Sequence, residues 1–282
     1  MNPSRHKTRV GADVGASLVK LAIRSGGEPL RLELEPSEAI ERVARKVESL
    51  GPERIGLTGG GAPRLAALLA LLGLDTTGVG EFDAWSVGAR TLLREQGVPE
   101  AGPFLLVSLG TGTSVLRVEG EQATRVGGTP LGGGTLLGLG AALTGRTRFE
   151  ELVELAGAGD RSRVDLLVSD VYPQGLAELP GAANAASFGK LARLARAGER
   201  PDPRDLVDAL MALVGENVAL LCNEIAGREQ LRRIVFGGSA LAGNPSLARW
   251  LVGLTRALGR EPVLLTHSAH PGAVGALVAA ER

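Results

Sequence analysis

The sequence predicts an α/β protein made of two copies of one structural unit, and three observations carry that prediction. Residues 10–23 and 105–118 each read as a short apolar strand, a turn of Gly, Ser or Thr, and a returning strand. Residues 54–72 and 233–258 each read as a strand, a Gly-Gly turn and a helix. The order hairpin, helix, strand–Gly-Gly–helix occurs twice, as expected of an internal duplication with an insertion in the second copy.

The elements follow in order. After the first hairpin, residues 30–35 alternate as a third strand, and 38–50 form an amphipathic helix. The strand from Arg54 ends in Gly59-Gly60-Gly61 and leads into a helix over 64–72. Residues 81–96 read as a helix with Glu81 near its start, and 136–143 as a helix after Gly132-Gly133-Gly134. Between 205 and 225, Leu206, Leu210, Leu213, Val214, Val218, Leu221 and Ile225 recur at helical spacing. Residues 262–266 give a last strand and 273–280 a last helix. The break between copies is expected near 96–103, dividing the chain into 1–100 and 101–282.

Composition narrows the function. At 282 residues and 44% hydrophobic, the chain can bury a substantial core. It balances 31 basic against 31 acidic residues, so nothing recommends a nucleic-acid or anionic-membrane partner. A single cysteine, Cys222, excludes a disulfide framework and a Cys-rich metal site within one chain. It lies in an apolar helical pattern and is expected in the core. Residues 1–9 are polar and basic with no apolar stretch behind them, so a cytoplasmic location is the expectation.

A strand, a turn carrying Asp and Gly, and a returning strand can handle phosphate. Turn N–H groups and hydroxyls meet phosphate oxygens, and a carboxylate can hold Mg²⁺. One such hairpin could equally be only a turn. Two of them, with two strand–Gly-Gly–helix units in matching order, suggest a clamp on the phosphates of one nucleotide.

These motifs resemble those of the actin, sugar-kinase and Hsp70 ATPase superfamily. Asp13-Val-Gly15-Ala-Ser17-Leu-Val-Lys20 is similar to its first phosphate motif, Leu109-Gly110-Thr111-Gly112-Thr113-Ser114 to its second, and Phe236-Gly237-Gly238-Ser239 to its adenosine turn. Within the superfamily, four segments resemble the type II pantothenate kinases: Glu81-Phe82-Asp83-Ala84, the Gly-rich block from Arg125 to Leu139, Asp165-Leu-Leu-Val-Ser-Asp170-Val-Tyr172, and Ala186-Ser187-Phe188-Gly189-Lys190. The resemblance runs in order from residue 10 to residue 278. The chain departs from it at Ala16 and Ser17, where the family carries Gly and Thr; Ser17 keeps the hydroxyl.

The resemblance implies two duplicated ribonuclease-H-like domains with a nucleotide cleft between them, and phosphorylation of pantothenate by ATP at the start of coenzyme A synthesis. It makes Glu81 the base that takes the proton of the substrate hydroxyl. Read from the sequence alone, Glu81 is a helix-start residue favoured by the helix dipole. Arg125 is implied to hold the pantothenate carboxylate, a planar fork for a two-oxygen anion; without the resemblance it is a solvated hairpin arginine. Thr111, Gly112 and Ser114 are assigned to substrate or phosphate contacts. Asp13 organises Mg²⁺ and Lys20 meets a phosphate, with Gly15, Ser17 and Gly110 in the phosphate turns. Gly132, Gly133, Gly134 and Thr135 open a helix whose N–H groups favour phosphate, and Gly237 and Gly238 face the adenosine. The family further implies a homodimer, for which helix 205–225 is the expected interface. Its members differ in response to coenzyme A and acyl-CoA, which are therefore candidate effectors.

Other readings compete. Sugar and amino-sugar kinases share the phosphate hairpins, but generally use an aspartate base, and many carry a zinc cluster of cysteines absent here. An ATPase that drives electrons into a dehydratase needs cysteines for an iron–sulfur cluster. A transcriptional relative would carry a DNA-binding domain ahead of the first strand, which begins near residue 9. A non-catalytic nucleotide or CoA sensor is favoured only by Ala16. His267 and His270 have metal-like spacing, yet no third ligand is evident and a loop accounts for them. The sequence assigns no mechanism to Asp170, Tyr172 or Ser187 to Lys190.

Overall fold

The computed structural model describes residues 7–99, 102–120, 122–175 and 180–281. Two five-stranded sheets organise the chain. The first contains β1 (Thr8–Val14), β2 (Leu18–Ser25), β3 (Arg31–Pro36), β4 (Arg54–Thr58) and β5 (Thr77–Gly78), in the order β3-β2-β1-β4-β5. The second contains β6 (Phe104–Leu109), β7 (Thr113–Glu119), β8 (Gln122–Thr129), β11 (Arg233–Gly237) and β12 (Glu261–Leu264), in the order β12-β11-β6-β7-β8. In each sheet the first three strands run antiparallel and the last two add in parallel. The two orders are the same topology, so the duplication expected from the sequence is present, including a third strand, β8, that the sequence reading had not assigned. The expected boundary at 100 and 101 falls on residues outside those described.

Alternation in the central strands explains why both faces of each sheet are covered. On β6, Leu105, Val107 and Leu109 join one core, while Phe104 and Leu106 join another. On β1, Val10, Ala12 and Val14 pack with α1 (Ile40–Ser49) and α2 (Ala62–Leu71). The opposite face of β1 is covered by α10 (Pro271–Glu281). This last helix therefore returns from the second sheet to the first. It also crosses α3 (Glu81–Glu95) at very short range. A β-carbon on Gly275 would lie 1.8 Å from the Ala84 carbonyl oxygen, and one on Gly88 1.8 Å from that of Pro271. Only hydrogen fits at these two positions.

Between β8 and β11 lies the insertion: α4 (Gly133–Thr144), α5 (Phe149–Gly157), β9 (Leu166–Leu167), α6 (Val168–Val171), β10 (Asn184–Ala186), α7 (Leu191–Arg196) and α8 (Pro203–Arg228). β9 and β10 form a small sheet of their own. The long helix α8 corrects one expectation. It packs against α4, α5 and α9 (Pro245–Ala257) and buries residues all round, Leu210, Val214, Val218 and Cys222 among them. It is the core of the second half and not a free apolar face; of its large apolar residues only Leu220 is exposed. Among the described residues no helix is long and apolar enough to cross a membrane.

The two motifs without an assigned mechanism tie this insertion together. Both oxygens of the fully buried Asp165 are engaged, one accepting from the Phe188 N–H at 2.7 Å and the other from the Asn184 amide at 3.4 Å. Phe188 adopts a left-handed backbone, φ 56°, which that carboxylate bond supports. Lys190 pairs with Asp170 at 2.6 Å and donates to the Ser162 carbonyl at 2.7 Å. Asp170 in turn accepts from the Leu167 N–H at 2.8 Å. These residues are structural clasps, which is why a short, weakly paired sheet holds its shape.

Candidate active site

The turns of the two hairpins meet. Ser17, between β1 and β2, and Thr111, between β6 and β7, bring their hydroxyl oxygens to 3.5 Å. They close one side of a cleft of about 480 Å³ between the sheets. The Gly15 N–H is bonded to the Leu18 carbonyl and the Gly110 N–H to that of Gly112. The N–H groups of Ala16, Ser17, Thr111 and Gly112 have no acceptor among the described residues. Unpaired backbone donors from two facing turns are suited to a phosphate chain.

Asp13, next to the end of β1, stands opposite Lys20 on β2, a cross-strand pair fixed by hairpin register. The Lys20 ammonium stands 3.5 Å from the Asp13 carboxylate. Asp13 is only 4% exposed. Burial raises its pKa, against the charge and hydrogen bond of Lys20. A buried carboxylate at the floor of a donor-rich cleft, with Lys20 as its ion-pair partner among the described residues, fits the need for a hard divalent cation beside phosphates.

Glu81 is the first helical residue of α3, following Gly80. Its carboxyl reaches the same cleft. Its pKa is raised, first by burial and then by the Asp13 charge, with Lys20 opposing. A carboxylate shifted upward is a stronger base, and an unpaired one keeps its lone pairs for a substrate.

Arg125 owes its place to a bulge. β7 and β8 pair Ser114 with Gly128 and Val115 with Gly127, after which the register slips and Leu116 faces Arg125. Without the extra residue, Val126 would face Leu116 and Arg125 would point to the other side of the sheet. As it is, Val126 packs into the core and Arg125 lines the cleft with Ser114. Among the described residues no carboxylate pairs with the Arg125 guanidinium.

The remaining expected residues divide. Gly15, Ser17, Lys20, Gly110, Thr111, Gly112 and Gly238 all line the cleft. Gly238, at φ 116°, lies so close to β6 that a β-carbon would come 2.1 Å from the Leu109 carbonyl oxygen. Gly132, Gly133, Gly134, Thr135 and Gly237 stand behind the walls. The N–H groups of Gly133 and Gly134 donate to the carbonyls of Gly110 and Thr111 at 2.8 and 2.9 Å. The Thr135 hydroxyl accepts from the Gly132 N–H and donates to the Pro130 carbonyl. The start of α4 therefore buttresses the second phosphate turn. His270 is buried against the Glu33 carbonyl, its Nε2 3.1 Å away. Among the described residues no three His, Cys, Asp or Glu side chains gather as for a metal. Ser239, the last residue of the expected adenosine turn, also lines the cleft, as do Gly59, Gly60 and Trp85, which had not been assigned to the site. Gly59 and Gly60 carried a signal as the turn of the first strand–Gly-Gly–helix unit, the counterpart of Gly237 and Gly238.

Duplicated sheets with a hairpin-lined cleft define the actin-like ATPase fold. Component A of the (R)-2-hydroxyglutaryl-CoA dehydratase from Acidaminococcus fermentans shares it, with a TM-score of 0.62 over 97% of both chains at 18% identity. That likeness concerns the fold alone. Cys222, the lone cysteine, is fully buried and its thiol is pushed up to about 12 by burial. The family model described as Fumble matches residues 93–279. Type II pantothenate kinases of Bacillus cereus and Oceanobacillus iheyensis are 30% and 32% identical to this chain over 273 residues, covering 96% of it and 97% and 98% of their own lengths. The chain belongs to the type II pantothenate kinase family.

Proposed function

We propose that this protein transfers the γ-phosphoryl group of ATP to the primary hydroxyl of pantothenate, giving 4'-phosphopantothenate and ADP. The observation that carries the reading beyond family membership is the pairing, in one cleft, of an unpartnered arginine with a carboxylate of raised basicity. The substrate is an alcohol at one end and a carboxylate at the other. Arg125 would take the carboxylate, and Ser114 and Thr111 the polar groups between.

Glu81 would accept the hydroxyl proton as the oxygen attacks phosphorus and the bond to the ADP oxygen breaks. The free N–H groups of the two hairpin turns and the Lys20 ammonium would hold the phosphate oxygens in line, since positioning and charge stabilisation supply most of the catalysis in phosphoryl transfer. Asp13 is the residue that would hold Mg²⁺, which would supply positive charge to offset that of the phosphates. Gly238 and Ser239 would border the nucleoside. We take 1–100 and 101–282 as the two lobes, with α10 packed on the first. A cytoplasmic homodimer, with CoA or acyl-CoA as effector, completes the proposal. With α8 inside the core, the exposed Leu137, Leu139 and Leu143 of α4 are the better candidates for its interface.

The test is Glu81→Gln, with phosphorylated pantothenate followed by mass spectrometry. The amide keeps the shape but cannot take the proton, so turnover should fall on the order of 10²-fold or more while ATP binding persists. Undiminished turnover would move the base elsewhere.

A further inference from the structure

Trp85 sits one helical turn beyond Glu81 on α3, so the two side chains project from the same face. It is 6% exposed and borders the cleft. Its ring lies where three parts of the molecule meet. A β-carbon on Gly237, behind the second-sheet turn, would come 3.3 Å from its six-membered ring. One on Gly272, at the start of α10, would come 3.0 Å from its Nε1 and 2.6 Å from the Asp13 carboxylate. The indole nitrogen and the Asp13 oxygen therefore flank the same point beside the Gly272 backbone.

The indole N–H has no acceptor among the described residues, nor is it among the polar atoms sealed in the core. A tryptophan this buried ordinarily places its N–H on a partner. The other tryptophan, the part-buried Trp250, donates to Asp208 at 3.3 Å, with the guanidinium groups of Arg161 and Arg249 over its ring. The Trp85 N–H lies at the opposite end of the indole from the edge that faces Gly237, on the side of Gly272 and Asp13, and the side chain borders the cleft.

We infer that Trp85 is a further nucleotide-binding residue, whose indole N–H donates to an oxygen of the phosphate chain on the floor of the cleft. The inference rests on the reading of the cleft as a nucleotide site and adds a donor from a side chain that no phosphate motif contains. It also explains the position of the ring. From α3, the nucleotide's phosphates are felt one turn from Glu81, so the helix that carries the base is seated by the donor it aligns.

The test is the contrast between ADP and adenosine, measured by titration calorimetry in the presence of Mg²⁺ with wild type and Trp85→Phe. Phenylalanine keeps an aromatic ring and removes the N–H. A hydrogen bond to a charged oxygen predicts that ADP affinity falls about tenfold or more while adenosine affinity is unchanged. Equal ADP affinity in the two proteins would overturn the assignment, and so would parallel losses for ADP and adenosine, the mark of a packing role. A wild type that binds no ADP would instead remove the nucleotide reading itself. Should Trp85→Phe fail to fold, the Trp250→Phe protein, with Trp85 as sole fluorophore, gives a second readout. Its emission should shift with ADP and not with adenosine; a response to both alike, or to neither, contradicts the proposal.

Discussion

Replacing Arg125 with alanine separates pantothenate from every neutral or sugar substrate. Among the described residues the guanidinium has no carboxylate partner, so its removal breaks no ion pair seen there and should leave the melting temperature almost unchanged. What it removes is a charged, two-pronged donor for an incoming anion. Such contacts contribute roughly 1.5–3 kcal/mol, or about 10–150-fold in affinity. Arg125 is exposed to solvent in the open cleft, so screening places the expected loss near the lower end, about tenfold. Steady-state kinetics with pantothenate and with pantetheine form the assay. The variant should show a raised KM for pantothenate, little change in KM for ATP, and a far smaller effect on any turnover of pantetheine, whose amide replaces the carboxylate. Arg125→Lys should recover only part of the loss, because an ammonium keeps the charge but not the planar fork. Equal losses with the acid and the amide would refute the role of Arg125 as the carboxylate anchor.

Two further outcomes concern titration. If Glu81 acts as base, kcat/KM should fall on the acid side with a midpoint above that of an ordinary carboxylate, since burial and the Asp13 charge both raise its pKa; a rate–pH profile with its acid limb at or below pH 4.5 contradicts this. Asp165 is raised from 3.8 to about 6, chiefly by burial. The folded state therefore binds the proton more tightly than the unfolded chain, and stability from this group is lost as pH rises from about 4 to about 6, on the order of 3 kcal/mol. Asp165→Asn should erase that component, so the difference in melting temperature between variant and wild type should change across this window; a constant difference would remove Asp165 as its source.

The legible parts of the fold were those whose turns need particular residues. The phosphate hairpins declared themselves through Asp13, Gly15, Gly110 and Gly112 between alternating apolar runs, and the strand–Gly-Gly–helix units through Gly59 and Gly237. β8 was not legible, because a bulge at Val126 breaks its alternation and most of its residues are only partly covered. The same bulge turns Arg125 inward, a consequence of register that no local pattern displays. β9 and β10, of two and three residues, are too short to carry a period. Helix α8 was read from its spacing, but periodicity does not say whether an apolar stripe meets another subunit or its own chain; here helices on several sides cover it. The Gly-rich block promised free N–H groups at a helix start, and the structure engages two of them with the neighbouring turn. Trp85 carried no signal, since its neighbours, Gly237 and Gly272, are distant in sequence.

The most direct measurement of the central claim is a coupled assay of ADP release by the wild-type protein with ATP and Mg²⁺, run in parallel with pantothenate, glucose and N-acetylglucosamine. The account predicts release that depends on pantothenate, with neither sugar above background. Release driven by a sugar, or none with pantothenate, would contradict it.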